Sequence, residues 1–189
     1  MRVPGLKSRL MIDSVFSCLA HLEDATYQLY EVLFDKAKNT RVRLLLGKIM
    51  LETRNHREIL EQMSEDYGYT SGAALDCGNR MGTLYAVALA SAGTLKEKVL
   101  EGMPILDAMK ALVQYEDQVG EEYVIQAHAQ LEAAGVVDVV AKRLLEDIAA
   151  DEKVHADDLR LAIDIESKPL GQCGVEHVSS SGVTEVKLR

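Results

Sequence analysis

No proline interrupts the chain between Pro4 and Pro104, and the third proline is Pro169. Proline is the residue that removes a backbone donor and collides with the preceding helical turn, so only glycine opposes helix over that span. Composition points the same way. Aromatic residues are 5% of the chain and tryptophan is absent. The β-branched and aromatic runs with frequent turn signals that sandwiches and barrels require are missing. Apolar residues at 48% and charged residues at 27% of 189 positions describe a soluble globular chain with a real core. The expected fold class is all-α.

Apolar positions recur at spacings of three and four. A first long helix, from about Leu10 to Lys38, carries Ile12, Phe16, Leu19, Thr26/Tyr27, Tyr30, Phe34 and Ala37 on one stripe. The turn Asn39-Thr40 is very short, so the second helix, from Arg41 to about Tyr67, folds back antiparallel with Leu45, Ile49, Ile59 and Met63 on its stripe. Residues 68–103 form a long connection with its own helix from about Gly82 to Leu100. Pro104 then opens a third long helix to about Ala134, with Ile105, Met109, Leu112, Val119 and Tyr123 inward. Gly135 makes a tight turn into a fourth, from Val137 to Ile165, with Ala141, Leu144/Leu145, Ile148, Leu159 and Ala162 inward. Two hairpins joined by a long crossover make an antiparallel four-helix bundle over residues 1–166. Residues 167–189 form a Gly- and Ser-rich C-terminal tail.

The hairpins read as repeats. Glu23-Asp24-x5-Tyr30 answers Glu116-Asp117-x5-Tyr123, and His56-x-Glu58-x-Leu60 answers His155-x-Asp157-x-Leu159. The formal charge of −9, from 21 basic and 30 acidic residues, repels a phosphate backbone and argues against nucleic acid as a partner. Cys18, Cys77 and Cys173 are odd in number, far apart and without a C-x-x-C pair, so neither a zinc knuckle nor a disulfide framework is expected. Cys18, beside Leu19, reads as a packed thiol. A reducing cytoplasm is the simplest compartment. The N-terminus lacks the apolar core of a signal peptide. The most apolar stretch, Leu84 to Ala92, is about half the roughly 20 residues a membrane helix needs, so no membrane association is expected.

Each inward stripe has a polar interruption: Glu23 in the first long helix, Glu52 and His56 in the second, Glu116 in the third, Glu152 and His155 in the fourth. Glu23 and His56 stand about equally far from the first turn, and Glu116 and His155 about equally far from the second. Four carboxylates and two imidazoles therefore converge at mid-bundle. An unpaired buried carboxylate costs several kcal/mol. Two divalent cations would neutralise four carboxylates, and oxygen donors with imidazole suit iron or manganese.

This set resembles that of the ferritin-like superfamily, and within it the rubrerythrin-like di-iron carboxylate proteins. Their helices supply one Glu each from two members and a Glu-x-x-His motif each from the other two. Glu23 and Glu116 match the lone glutamates, and Glu152-Lys-Val-His155 matches the motif letter for letter. Glu52-Thr-Arg-Asn-His56 departs, spacing its pair by four and placing Asn55 where the histidine is expected. The resemblance implies two iron (or manganese) ions as cofactor and an oxidoreductase that reduces peroxide or dioxygen, with ferroxidase activity as a variant. It also implies an external electron donor, because no rubredoxin-type four-cysteine site is present, and a homodimer or small homo-oligomer. Tyr30 and Tyr123, two turns beyond Glu23 and Glu116, are the candidate catalytic side chains, as hydrogen-bond donors or oxidisable rings.

Two other classes stay open. A metal-free structural or partner-binding bundle would turn Glu52 and His56 outward, and an iron-storage protein would assemble a shell. The tail 179–189 bears a faint likeness to peptides that tether ferritin-like cargo inside protein compartments.

Overall fold

The three-and-four spacing is realised as helix, and the turns are set by short-range capping. In a computed structural model that describes residues 6–66, 77–117, 129 and 139–168, the elements are α1 (Leu6–Lys36), α2 (Thr40–Asp66), α3 (Cys77–Leu100), α4 (helical over 105–117) and α5 (Val139–Ser167). There is no strand among the described residues. Tyr123, His128, the Gly135 turn and the tail 179–189 lie outside them.

Asn39 caps α2: its Oδ1 accepts the Arg41 amide at 3.0 Å, and its carbonyl accepts the Arg43 amide at 2.9 Å. This satisfies amides that have no intrahelical partner in a first turn. α2 then runs antiparallel to α1, with Ser17 Oγ 2.6 Å from Ser64 Oγ and the Arg57 guanidinium donating to Asp24 at 2.7 Å.

α3 is the crossover. It starts level with Cys18, to which Cys77 is bonded, and ends level with Lys36, whose ammonium donates to the carbonyls of Val99 and Leu100. It therefore returns the chain along the length of α1. The helix begins before the expected Gly82, and Gly82 instead breaks it internally at φ 81°, ψ −171°, a conformation that glycine alone adopts freely. At its far end Gly102, at φ 113°, closes a Schellman motif in which the Met103 amide bonds the Lys98 carbonyl and the Gly102 amide bonds that of Val99. Pro104 follows at the mouth of α4.

The core is shared by all five helices. Phe16, Leu29, Tyr30 and Leu33 of α1 meet Leu46, Ile49 and Leu60 of α2, Met81 and Tyr85 of α3, Met109 and Leu112 of α4, and Leu145 and Leu159 of α5. Burying each such large apolar side chain contributes about 1.5–3 kcal/mol. One stripe is rotated from expectation. The buried face of α2 is Val42, Leu46, Ile49, Thr53, His56, Leu60 and Met63, while Leu45, Glu52 and Ile59 lie at its edge. The flanking residues are apolar enough to mimic the stripe, and packing chooses the set one position on.

A second correction concerns sulfur. Cys18 and Cys77 form a disulfide across a separation of 59 residues. No spacing in the chain signals it, because the pairing depends on α3 returning beside α1. A Cys18–Cys77 bond removes the support that free cysteines lend to a reducing compartment. No described helix is long and apolar enough to cross a membrane. Thiol titration of the denatured chain checks the pairing: reduction should expose two further thiols per molecule, and an unchanged count would remove the disulfide.

Candidate metal centre

The buried stripes of the two hairpins are built alike. One constant shift in numbering carries Val42, Leu46, Ile49, His56 and Leu60 of α2 onto Ala141, Leu145, Ile148, His155 and Leu159 of α5. A second carries Phe16, Leu19 and Glu23 of α1 onto Met109, Leu112 and Glu116 of α4. The polar members of these stripes meet at one level. Glu23, His56 and Glu152 form one group, and Glu116, Glu152 and His155 a second, each offering ligand atoms within 4.8 Å of one another.

Glu152 belongs to both groups and spans them. Its Oε1 lies 3.4 Å from His56 Nδ1, and its Oε2 lies 3.5 Å from His155 Nδ1. Glu23 Oε2 is 3.9 Å from the same His56 nitrogen. His56 and His155 are 4% and 0% exposed, and the Nδ1 atom of each is buried without a hydrogen-bond partner. Such an atom in a protein interior normally has one. The rings stack with centroids 5.8 Å apart.

The far side of each imidazole is occupied. His56 Nε2 is 3.1 Å from Asp151 Oδ2, and His155 Nε2 is 3.1 Å from Glu52 Oε2. The arrangement is reciprocal: the α2 histidine is oriented by an α5 carboxylate, and the α5 histidine by an α2 carboxylate. A carboxylate at Nε2 fixes the ring and leaves Nδ1 to serve as a ligand, the usual outer shell of a metal-bound histidine. Tyr30 donates from its hydroxyl to Glu116 Oε1 at 2.5 Å, and Thr26 and Tyr115 pair their hydroxyls at 3.0 Å beside it.

The electrostatics are those of a site short of positive charge. Burial, helped by the neighbouring Glu152, raises Glu23 to about 8. Burial and Glu152 also raise Glu116 well above the carboxylate range, against the pull of the Tyr30 hydrogen bond. Burial resists ionisation of Glu152, but His155, His56 and Glu116 overcome it and hold this carboxyl well below the usual range. Burial pushes His56 down, and Glu152, Glu23 and Asp151 outweigh it to reach about 9. Protons thus stand where cations would be equally welcome. Carboxylate oxygens and imidazole suit iron or manganese, and the two unpartnered nitrogens are what a metal ligand set requires.

Five of the six predicted ligands are brought together: Glu23, His56, Glu116, Glu152 and His155. Glu52 stands one contact further out, on His155, with the Lys48 ammonium 2.9 Å from the same oxygen. Asn55 is exposed, so His56 is the inward member of its helix. Tyr30 touches the site through Glu116. Asp151 went unnoticed in the sequence, although Asp151-x3-His155 repeats Glu52-x3-His56. No family model, curated protein or solved structure matches this chain.

Cobalt(II) titration separates these roles. His56→Ala and His155→Ala should each remove one of two bound ions, whereas Asn55→Ala should keep both. Asp151→Asn and Glu52→Gln should retain the stoichiometry with affinity weaker by about 10–100-fold.

Proposed function

We propose that this chain is a ferritin-like, rubrerythrin-like bundle holding a dinuclear iron or manganese centre, and that it reduces peroxide or dioxygen with electrons from an external donor. The observation that carries the reading is Glu152, which offers one oxygen to each side of a pair of buried, unpartnered imidazole nitrogens. A bridging carboxylate between two cations needs this geometry.

Glu23 and His56 would hold one ion and Glu116 and His155 the other, with Glu152 between them. Bound iron or manganese supplies the electrons and the open coordination positions for oxidant reduction. The chain's residues supply the rest. Asp151 and Glu52 fix the imidazoles, and Tyr30 orients Glu116 through its hydroxyl and is the nearest described phenol to the site. Cys18 and Cys77 are tied to each other, so the chain has no set of four thiols with which to relay electrons internally. A metal-free structural bundle expects Glu52 and His56 to turn outward; Glu52 does lie at the edge of α2, whereas His56 is buried, and that burial supports the metal-binding reading.

Metal content after anaerobic ferrous reconstitution and desalting tests this. About two irons per chain are expected, falling below one on Glu152→Ala. Peroxide and dioxygen consumption by the loaded protein then identifies the oxidant. Retention of no iron would sink the reading. Tyr30→Phe should keep both irons and slow turnover by about tenfold or more if the phenol takes part in proton delivery.

A further inference from the structure

α3 has two faces with different fates. Met81, Tyr85, Ala88, Ala92 and Val99 are buried in the core, as a crossover lying along α1 requires. A second track, at spacings of three and four, runs through Leu84, Val87, Ser91, Thr94 and Lys98. Leu84 is 43% and Val87 56% exposed. Exposed apolar side chains in a row mark a binding surface, whereas scattered single ones do not.

The track borders a cavity. Val87, Ser91, Thr94, Leu95 and Lys98 of α3, with Ala111 and Tyr115 of α4, line an open volume of about 410 Å³. Small-molecule sites occupy roughly 300–1,000 Å³. The lining changes character along α3, from apolar at Val87, through hydroxyls at Ser91 and Thr94, to an ammonium at Lys98. Val87 and Lys98 stand about 16 Å apart along the helix axis at 1.5 Å per residue. Among the described residues, the Ser91 and Thr94 hydroxyls have no hydrogen-bond partner and the Lys98 ammonium has no carboxylate. The neighbouring lysines are engaged: Lys36 donates to the Val99 and Leu100 carbonyls, and Lys96 to Gln28 Oε1 at 2.8 Å. In a chain of formal charge −9, an unengaged cation at one end of a mainly apolar cavity is a place for an anionic group.

We propose that the cavity between α3 and α4 binds a linear amphipathic monocarboxylate, with its headgroup at the Lys98 ammonium and its hydrocarbon body over Leu95, Ala111 and Tyr115 toward Val87. One ammonium suits one negative charge, and Thr94, one turn before Lys98, is placed to donate to the second carboxylate oxygen. Tyr115 joins this cavity to the candidate metal centre, since it lines the cavity and its hydroxyl pairs with that of Thr26 at 3.0 Å beside Glu116. Binding calls on none of the candidate metal ligands, so it stands or falls apart from the dinuclear reading.

The test is calorimetric titration of the full chain, without added metal, with sodium decanoate and with decanol, both below their aggregation limits. Wild type should bind one decanoate per chain. Lys98→Met, which keeps the apolar stem and removes the charge, should bind decanoate at least about fivefold more weakly and decanol unchanged, as expected for an ion pair near the surface. Val87→Glu should weaken both ligands by about tenfold or more, because its carboxylate would be covered by the hydrocarbon body. Leu44→Glu, at a 70% exposed apolar residue of α2, should change neither. All three positions are exposed, so these variants keep the core intact. Absence of decanoate binding by the wild type would overturn the proposal. So would equal binding by wild type, Val87→Glu and Leu44→Glu, which is adsorption to apolar surface in general, and so would indifference of decanoate to Lys98→Met.

Discussion

Three carboxyl groups and two imidazoles buried at one level are a standing electrostatic problem, and the arrangement of the helices follows from how it is handled. An unpaired charge in a protein interior costs several kcal/mol, so such a group is kept only where something opposite meets it. Here Glu152 is the hinge of the arrangement. It ionises because two imidazoles and the Glu116 carboxyl surround it, and its charge adds to the burial that already drives Glu23 and Glu116 toward their protonated forms. Among the described residues, the ion-pair partners of Glu23 and Glu152 are the two imidazoles. The balance is left to protons or to metal cations, which makes the centre responsive to the supply of either.

Holding five ligands from four helices to a common height requires that the helices not slide. The framework does this at its ends and along its length. Asn39 fixes the α1–α2 turn, Lys36 and Gly102 fix the far end of α3, and the Cys18–Cys77 bond fixes its start. Among the described residues, three side-chain hydrogen bonds between α2 and α5 set the register: Lys48 with Asp158, Glu52 with His155, and His56 with Asp151. Two of those three are also the contacts that orient the imidazoles. Register and ligand orientation are therefore one property, and a slip of one helical turn would strip both histidines of their outer partners.

The helices and most of the ligands were legible in the sequence because periodicity and turn chemistry are local. Glu23, Glu116, Glu152 and His155 announce themselves as polar residues on apolar stripes. What was not legible turns on small rotations and distant encounters. The α2 stripe can be read through Leu45, Glu52 and Ile59 or through Leu46, Thr53 and Leu60, since apolar residues occupy both tracks. Only packing decides, and the choice moves Glu52 from the inside to the edge. The α2 histidine, expected to be displaced by one, holds the buried position that His155 holds in α5, and Thr53 stands where α5 has Glu152. The disulfide was invisible for a different reason: it joins helices whose adjacency is a product of the crossover, and no spacing in the chain encodes it.

The two halves of the centre are alike in ligand type and unlike in what holds the ligands. On the His155 side both flanking carboxylates are tempered by a donor, Glu116 by the Tyr30 hydroxyl and Glu52 by the Lys48 ammonium. On the His56 side Asp151 is half exposed at 51%, where water screens it, and Glu23 lies against the imidazole itself. A carboxylate that already accepts a strong hydrogen bond gives less of its charge to a cation. Hairpins with like buried stripes thus produce inequivalent positions, with the difference written in hydrogen bonds around the candidate ligand atoms. The likeness of the two buried stripes builds the site, and it is broken where Thr53 stands against Glu152 and where buried Ser64 stands against Ile163.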